Sequence, residues 1–326
     1  METALELRGV AKKFGKTSAV DQIDLVVPSG GMYGIIGPSG AGKTTAIRMI
    51  MSILFPDSGT LSVLGCASAS EAKDRIGYLP EERGVYPKMR VLAFLTFLAQ
   101  LKGVPAQSAA ARASKLLARL GLADVGQKKC EDLSKGMLQR VQFVGAIINL
   151  PDLIILDEPF GGLDPVSVRL MKEVIAEENR RGATILFSTH VMAHAEEMCR
   201  HIVMIHKGRK VLDEPMDGLR RQYDTRTLYV EPLDPKTPLA TLQSLPMVES
   251  AKEANGGYRL RLAADSDPAS AMRQIVNAVP SARIEFDRIR LEDIFIRIVT
   301  GGAEVDESES ALRANLQGLT GVGAAL

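Results

Sequence analysis

The densest concentration of reactive residue types is Gly37-Pro38-Ser39-Gly40-Ala41-Gly42-Lys43-Thr44-Thr45, which satisfies the pattern G-x-x-x-x-G-K-[ST]. An apolar, β-type run at 32–36 precedes it and a helical pattern at 45–51 follows. In that setting the glycines let successive backbone N–H groups point into one concavity, where anionic oxygens accept their hydrogen bonds. Lys43 adds a cation that reaches the β- and γ-phosphates of a nucleoside triphosphate, and the Thr44 hydroxyl is placed to ligate Mg2+. A chance match is the competing explanation, and the strand–loop–helix setting weakens it. A second cluster, Leu153-Ile154-Ile155-Leu156-Asp157-Glu158, is an apolar run that ends in two carboxylates. Asp157 there would hold magnesium, directly or through water, and Glu158 would polarise the attacking water as general base. Acidic residues end many strands, so this run draws its meaning from its place about 110 residues after a good phosphate loop. Together the two clusters predict binding of a nucleoside triphosphate, ATP foremost, and its hydrolysis with magnesium.

The elements that must carry these residues read as an α/β domain over 1–222. Strands are expected at 5–8, 20–27, 32–36, 153–156, 184–188 and 201–206; the continuous apolar run at 153–156 is that of a strand covered on both faces. Between about 86 and 145 the pattern is almost wholly helical, a helical subdomain inserted in the β-sheet core. A second region, 223–300, reads strand 227–230, helix 239–245, a hairpin across Asn255-Gly256-Gly257, helix 268–279 and strand 282–286. That order, βαββαβ, is the order of a ferredoxin-like unit, so a small C-terminal α+β domain is expected, with a last helix at 292–299. After Gly301-Gly302 the chain turns acidic and then small and polar, and 301–326 reads as a mobile, disordered tail.

Composition narrows the class. The 326 residues suffice for about two domains with cores, and 46% hydrophobic with 24% charged residues is ordinary for a soluble globular protein. A formal net charge of +1 demands no nucleic acid. Cys66, Cys130 and Cys199 lie far apart with no CxxC pair, against a disulfide framework or zinc site and in keeping with a reducing compartment. The N-terminus has no signal-peptide pattern, and the longest apolar stretch, 91–101, is about half of a membrane span. A cytoplasmic chain is expected, any membrane role coming through another protein.

With these motifs in view, the region 3–220 resembles the ATPases of the ABC family. Leu133-Ser134-Lys135-Gly136-Met137 resembles that family's signature motif, LSGGQ. Pro159-Phe160-Gly161-Gly162-Leu163-Asp164-Pro165 looks like the loop after its Walker B strand, with Asp164 as the D-loop aspartate, and Ser188-Thr189-His190 like its switch segment. All stand in the family's order, and an ordered set is hard to reach by accident. The resemblance implies a P-loop NTPase fold of ABC type. It also implies a dimer with two ATPs at its interface, in which Ser134 and Gly136 at a helix N-terminus face the γ-phosphate on the opposite subunit. Ser134 as a simple N-cap is the plainer reading, and the two are compatible. His190 would bond the γ-phosphate and hold the attacking water, against the plainer view of a structural histidine; His194, His201 and His206 have no such context and are read as structural. Phe14 occupies the place where the family stacks a ring on adenine, a core aromatic being the alternative.

Three departures from the pattern stand out. Glu81 follows Ile76-Gly77-Tyr78-Leu79-Pro80 where the family usually has the Q-loop glutamine; it either ligates the metal or is solvated beside Glu82 and Arg83. Lys135 and Met137 replace a glycine and the glutamine of the signature. With a C-terminal extension, these changes are similar to ATP-binding subunits of ABC-2-type exporters, the sodium-efflux and drug-resistance ones among them. The resemblance implies a separate transmembrane subunit as partner, a second nucleotide-binding subunit in a homodimer, and a peripheral place on the cytoplasmic face of the membrane. The partner's contact is expected around 81–101, although internal packing explains most of the apolar stripe Val91, Leu92, Phe94, Leu95, Phe97 and Leu98. Region 223–300 has no catalytic set and is read, by exclusion, as regulatory or dimer-supporting. Two other functions compete: a soluble ABC ATPase acting on ribosomes, DNA or cluster assembly, and a non-enzymatic module with a degenerate site. The chain has one nucleotide domain and no long coiled coil, against the first; intact Lys43, Asp157, Glu158 and His190 count against the second.

Overall fold

Apolar runs without alternation become the central strands of a parallel sheet. In a computed structural model that describes residues 2–82, 84–223, 226–254, 256–287 and 289–300, the chain divides between Met216 and Asp217 into two compact units. In the first unit, β1 (Thr3–Phe14), β2 (Thr17–Pro28) and β4 (Ser58–Val63) form an antiparallel sheet in the order β2-β1-β4. β3 (Met32–Ile36), β5 (Ile76–Leu79), β6 (Leu153–Asp157), β7 (Thr184–Thr189), β8 (His201–His206) and β9 (Arg209–Pro215) form a six-stranded sheet in the order β5-β6-β7-β3-β8-β9. All its neighbours are parallel except β8 and β9. Every residue of β3, β6 and β7 is buried, as strands covered on both faces require.

Helix α1 (Lys43–Ile50) buries Ala46, Ile47, Met49 and Ile50 in one cluster with Leu5, Leu7, Ile35 and Val203. Each large side chain sealed there contributes roughly 1.5–3 kcal/mol, and together they anchor the helix behind the loop it ends. The helical segment comprises α2 (Val91–Leu101), α3 (Ala106–Arg119) and α4 (Lys135–Ile147). On α2, Val91, Phe94 and Leu95 turn inward, whereas Phe97 and Leu101 are exposed; the apolar stripe is therefore mostly internal packing. α5 (Pro165–Arg180) and α6 (Met192–Met198) complete the helices of the first unit, and α7 (Met216–Gln222) begins at the boundary and runs into the second.

The second unit has β10 (Thr227–Pro232), α8 (Leu239–Gln243), β11 (Val248–Ala254), β12 (Gly257–Leu262), α9 (Pro268–Ala278), β13 (Ser281–Phe286) and α10 (Leu291–Val299). Its antiparallel sheet runs β11-β12-β10-β13, so the βαββαβ order yields two interleaved split βαβ units, as in ferredoxin-like folds. Leu228, Val230, Leu260 and Leu262 alternate inward against Leu242, Ala271 and Ile275 of α8 and α9.

Some elements differ from the expectation. β4, β5 and β9 were not anticipated: β4 is polar and mostly exposed, β5 is four residues long and interrupted by Gly77, and β9 is charged. None carries enough apolar pattern to announce itself; each is held by neighbouring strands. Helix α4 starts three residues before its apolar pattern, so Gly136 lies in the first turn rather than ahead of the helix. The segment 301–326 and Asn255 of the expected hairpin lie outside the described residues.

Candidate active site

Strand register assembles the site. Ile36 of β3 pairs with Thr189 of β7, Ser188 pairs with Asp157 of β6, and Leu156 pairs with Leu79 of β5. The chain therefore leaves four strands at one edge of the sheet, delivering Gly37, His190, Glu158 and the Pro80-Glu81 segment to the same side. Open α/β sheets bind ligands at this carboxyl edge.

After β3 the backbone makes a turn that side chains would block. Gly37 has φ 151°, and a Cβ there would stand 2.2 Å from the Ile205 carbonyl oxygen; Gly42 has φ 108° and 2.3 Å to the Ala19 carbonyl oxygen. Only glycine satisfies both the angle and the space. Between them Ala41 is buried and donates its N–H to the Pro38 carbonyl (3.2 Å), while Ser39 and Gly40 are exposed. The first intrahelical bond of α1 runs from the Ala46 N–H to the Gly42 carbonyl (2.9 Å). The N–H groups of Lys43, Thr44 and Thr45 precede it, in the unpaired first turn that offers an anion donors and a partial positive charge.

Lys43 is buried, and its Nζ donates to the carbonyls of Gly37 (2.8 Å) and Pro38 (3.1 Å) and stands 3.8 Å from Glu158 Oε1. Burial lowers its pKa, against the opposing pull of Glu158, Asp157 and Glu81. The cradle thus holds a cation at the place where phosphate charge would arrive.

Asp157 is fully buried. Its Oδ1 accepts a short hydrogen bond from the Ser188 hydroxyl and a longer one from Thr44 Oγ1 (3.4 Å), whereas its Oδ2 is buried with no hydrogen-bond partner. Burial pushes its pKa up; the bonds from Ser188 and Thr44 oppose that, and Glu81 and Glu158 add to it. An orphaned carboxylate oxygen beside a threonine hydroxyl is a hard-oxygen pair that fits magnesium. Among the described residues no group of three or more His, Cys, Asp or Glu is placed to hold a metal by itself. A magnesium here would take its other oxygens from phosphate and water, its usual habit.

Glu158 sits at φ 47°, the left-handed region that costs a non-glycine residue about 1–3 kcal/mol. Its N–H is held by the Ser188 carbonyl (3.2 Å) and hydroxyl (3.3 Å). Its Oε1 lies 2.9 Å from Nδ1 of His190, whose side chain is 53% exposed. Its carboxylate thus stands near both Lys43 and His190, bringing a carboxylate, an imidazole and a cation together in one place.

Ser134 caps α4, its hydroxyl accepting from the Met137 N–H (3.3 Å). Asp164 caps α5, Oδ1 accepting from the Ser167 N–H (2.9 Å) and Oδ2 from its hydroxyl (2.6 Å). These bonds from Ser167 hold the Asp164 carboxyl below its ordinary pKa. A Cβ on Gly136 would come within 3.3 Å of the Leu163 side chain, so the two helix starts are neighbours.

Two expected site residues stand apart from the bonded set. Phe14 is 53% exposed at the end of β1, with Lys12 Nζ 5.9 Å from its ring centre; it is not a core aromatic. Glu81 is exposed two residues beyond β5, near enough for its charge to act on Lys43 and Asp157. Conversely, two residues without assigned roles belong to the site. Ser188 binds both Asp157 and the Glu158 backbone, and Gln139, buried in α4, donates to the Pro159 carbonyl (3.4 Å). Ser188 had a signal, its position just before Thr-His. Gln139 had none, because nothing in a helical pattern reveals what an inward amide meets.

Comparison with known proteins agrees with this geometry. The ABC transporter family matches residues 20–161, and the C-terminal domain of DrrA1-3-like ATP-binding proteins matches 215–299. The chain is 38% identical to the uncharacterized ABC transporter ATP-binding protein YhaQ of Bacillus subtilis (strain 168), over 90% of this chain and 98% of that protein. It is 32% identical to Nod factor export ATP-binding protein I of Burkholderia lata, over 90% and 96%. A solved ATP-binding subunit of an ABC transporter superposes with a TM-score of 0.63 at 32% identity, covering 68% of this chain and 93% of that one.

Proposed function

The chain belongs to the ATP-binding proteins of ABC transporters, binding and hydrolysing ATP to drive transport, and we propose that it does so as one half of a symmetric pair that powers an exporter. The observation that carries the reading is the common edge of β3, β6 and β7, where Lys43, Asp157, Glu158 and His190 converge. In this reading the backbone N–H groups of Gly37, Ser39, Gly40, Ala41, Gly42 and the first turn of α1 cradle the phosphates, while Pro38, which has no N–H, shapes the loop between them. Lys43 turns from its own loop carbonyls to the γ-phosphate. Thr44 and Asp157 hold magnesium, which when bound would neutralise phosphate charge; Glu81 stands by as a further oxygen donor. Glu158 takes the proton of the attacking water, and His190 fixes the water and the γ-phosphate. Phe14 stacks on the adenine. Ser134 and Gly136 of a second copy close the pocket, with Asp164 setting the start of α5 beside them. Closure excludes water and strengthens each of these contacts.

Coupling follows from the surface beside the site. A half-open cleft of about 190 Å3 is lined by Met51, Ala69, Ser70, Lys73, Ile76, Tyr78 and Lys102. Exposed apolar side chains flank it in the chain: Ile53, Phe55, Tyr86, Phe97 and Leu101. We place the transmembrane subunit here, reached from the nucleotide through Glu81 and β5. Among the described residues no helix is long and apolar enough to cross a membrane, so in this reading the chain sits on the cytoplasmic face through that partner. Export as the direction is supported by the DrrA-like C-terminal match and the similarity to a Nod factor export protein.

Affinity purification from detergent-solubilised membranes tests the reading. A multi-span membrane protein is expected to co-purify, and Lys43→Ala is expected to lose retention of ATP on a filter. Recovery with ribosomes or nucleic acid alone would sink the transporter reading.

A further inference from the structure

The turn that presents Glu158 continues into Phe160, a buried ring (6% exposed) with no group able to donate or accept a proton. Three elements meet on its ring and a fourth holds the backbone just before it. Phe187 of β7 packs edge-on at 6.2 Å, and His194 of α6 packs edge-on at 4.9 Å and 79°. Lys172 of α5 places its ammonium 5.6 Å from the ring centre and pairs with Glu197, one turn further along α6. Gln139 of α4 holds the preceding carbonyl, that of Pro159.

The segment that carries His190 therefore touches the catalytic loop twice. The first contact is polar, His190 Nδ1 to Glu158 Oε1 at 2.9 Å. The second is aromatic, His194 on Phe160, four residues further in chain and two residues further along the loop. His190 itself is 53% exposed, so neighbouring packing does little to hold its ring. A short helix such as α6, seven residues long, has little rigidity of its own. Met192, Ala195 and Cys199 are buried and seat α6 on the sheet; the half-buried His194 adds the ring contact that ties it to the loop carrying Glu158. His194 Nδ1 is buried with no hydrogen-bond partner.

We propose that His194 and Phe160 are positioning residues: their edge-to-face contact fastens α6 to the catalytic loop and so keeps His190 within hydrogen-bonding reach of Glu158. Neither is among the residues assigned to the nucleotide above. Aromatic pairs prefer this geometry, and removing one ring loosens the start of α6, with His190 just ahead of it, against the loop while leaving the phosphate cradle of 37–45 untouched. The inference rests on the roles proposed above for Glu158 and His190.

The test is steady-state and single-turnover ATPase kinetics on the full-length chain. His194→Ala and the volume-conserving His194→Leu are expected to lower kcat about tenfold with the KM for ATP within twofold, since substrate-binding residues are unchanged. His194→Phe, which keeps a ring edge, is expected to restore kcat to within twofold of the parent. In a His190→Ala background, His194→Leu is expected to cost less than twofold, because the residue it positions is gone. Unchanged kcat in His194→Leu overturns the proposal, as does an additive loss in the His190→Ala background or failure of His194→Phe to rescue. Glu158→Gln and His190→Ala measured alongside separate the two levels. If they retain turnover, the catalytic assignment falls; if they lose it while His194→Leu does not, only the positioning role falls.

Discussion

The two units use sheets in opposite ways. In the first, β3, β6 and β7 are buried along their whole length and run parallel, so their only open backbone lies at the ends. In the second, β10 and β12 alternate, burying Leu228, Val230, Leu260 and Leu262 and exposing Arg259 and Arg261. The first unit buries Lys43, Asp157, Ser188 and Thr189; among the described residues no charged side chain of the second unit is buried. The open face of the second sheet neutralises itself, through Arg259 with Asp287 (2.6 Å), Arg261 with Glu249 (3.2 Å) and Arg283 with Glu285 (2.5 Å). Exposed pairs of this kind contribute little to stability, about 0–1 kcal/mol each. The difference teaches where chemistry can be built. A parallel sheet covered on both faces concentrates loops and unpaired polar groups at one edge, whereas an alternating antiparallel sheet spreads its polar residues over a solvated face.

Four measurements probe that contrast. The largest effect is expected from Glu158→Gln, at the strained edge position of the first unit. Loss of a general base lowers turnover by about 10²–10⁴-fold, and the variant is expected to remain ATP-bound as a dimer by sedimentation. Rapid turnover in that variant would remove Glu158 from the role of base. Next, Leu260→Ala in the core of the second sheet is expected to destabilise that unit by about 2–5 kcal/mol in denaturant unfolding. ATP turnover per folded first unit should be unchanged; a matching fall would mean that the second core supports the site. Asp267 caps α9, its carboxylate accepting from the Ser270 N–H at 2.8 Å. Asp267→Ala is expected to cost about 1 kcal/mol, read as a lowered unfolding midpoint with ATPase rates intact. The smallest effect is expected from removing 301–326: ATPase activity stays within twofold of the parent, and its loss would show that the tail serves the site.

Acidity adds a sign to the comparison. Hydrogen bonds from Ser167 hold Asp164 below the usual carboxylate range. A depressed folded pKa contributes stability above the unfolded value, and that contribution is lost as pH falls through the folded one. Its cap on α5 therefore persists at neutral pH and loosens only in strong acid. Asp157 shifts the other way through burial. A cation placed beside its unpartnered oxygen would favour the charged form.

The residue pattern was enough to place the glycine-rich loop between β3 and α1, the two carboxylates at the end of β6 and the βαββαβ order of the second unit. Each is a local matter: glycine spacing dictates a backbone shape, a continuous apolar run dictates a doubly covered strand, and alternating apolar residues dictate a strand buried on one face. Short polar strands such as β4 and β9 left no such trace, because pairing with neighbours holds them. What only the tertiary structure decided is the company these residues keep. Lys43 and Glu158 stand 3.8 Å apart across 115 residues of chain, and Ser188 reaches Asp157 across 31. Phe160 and His194 meet for the same reason. Such contacts depend on the order and register of strands β6, β7 and β3, which are set by the packing of whole faces and not by any single stretch of residues.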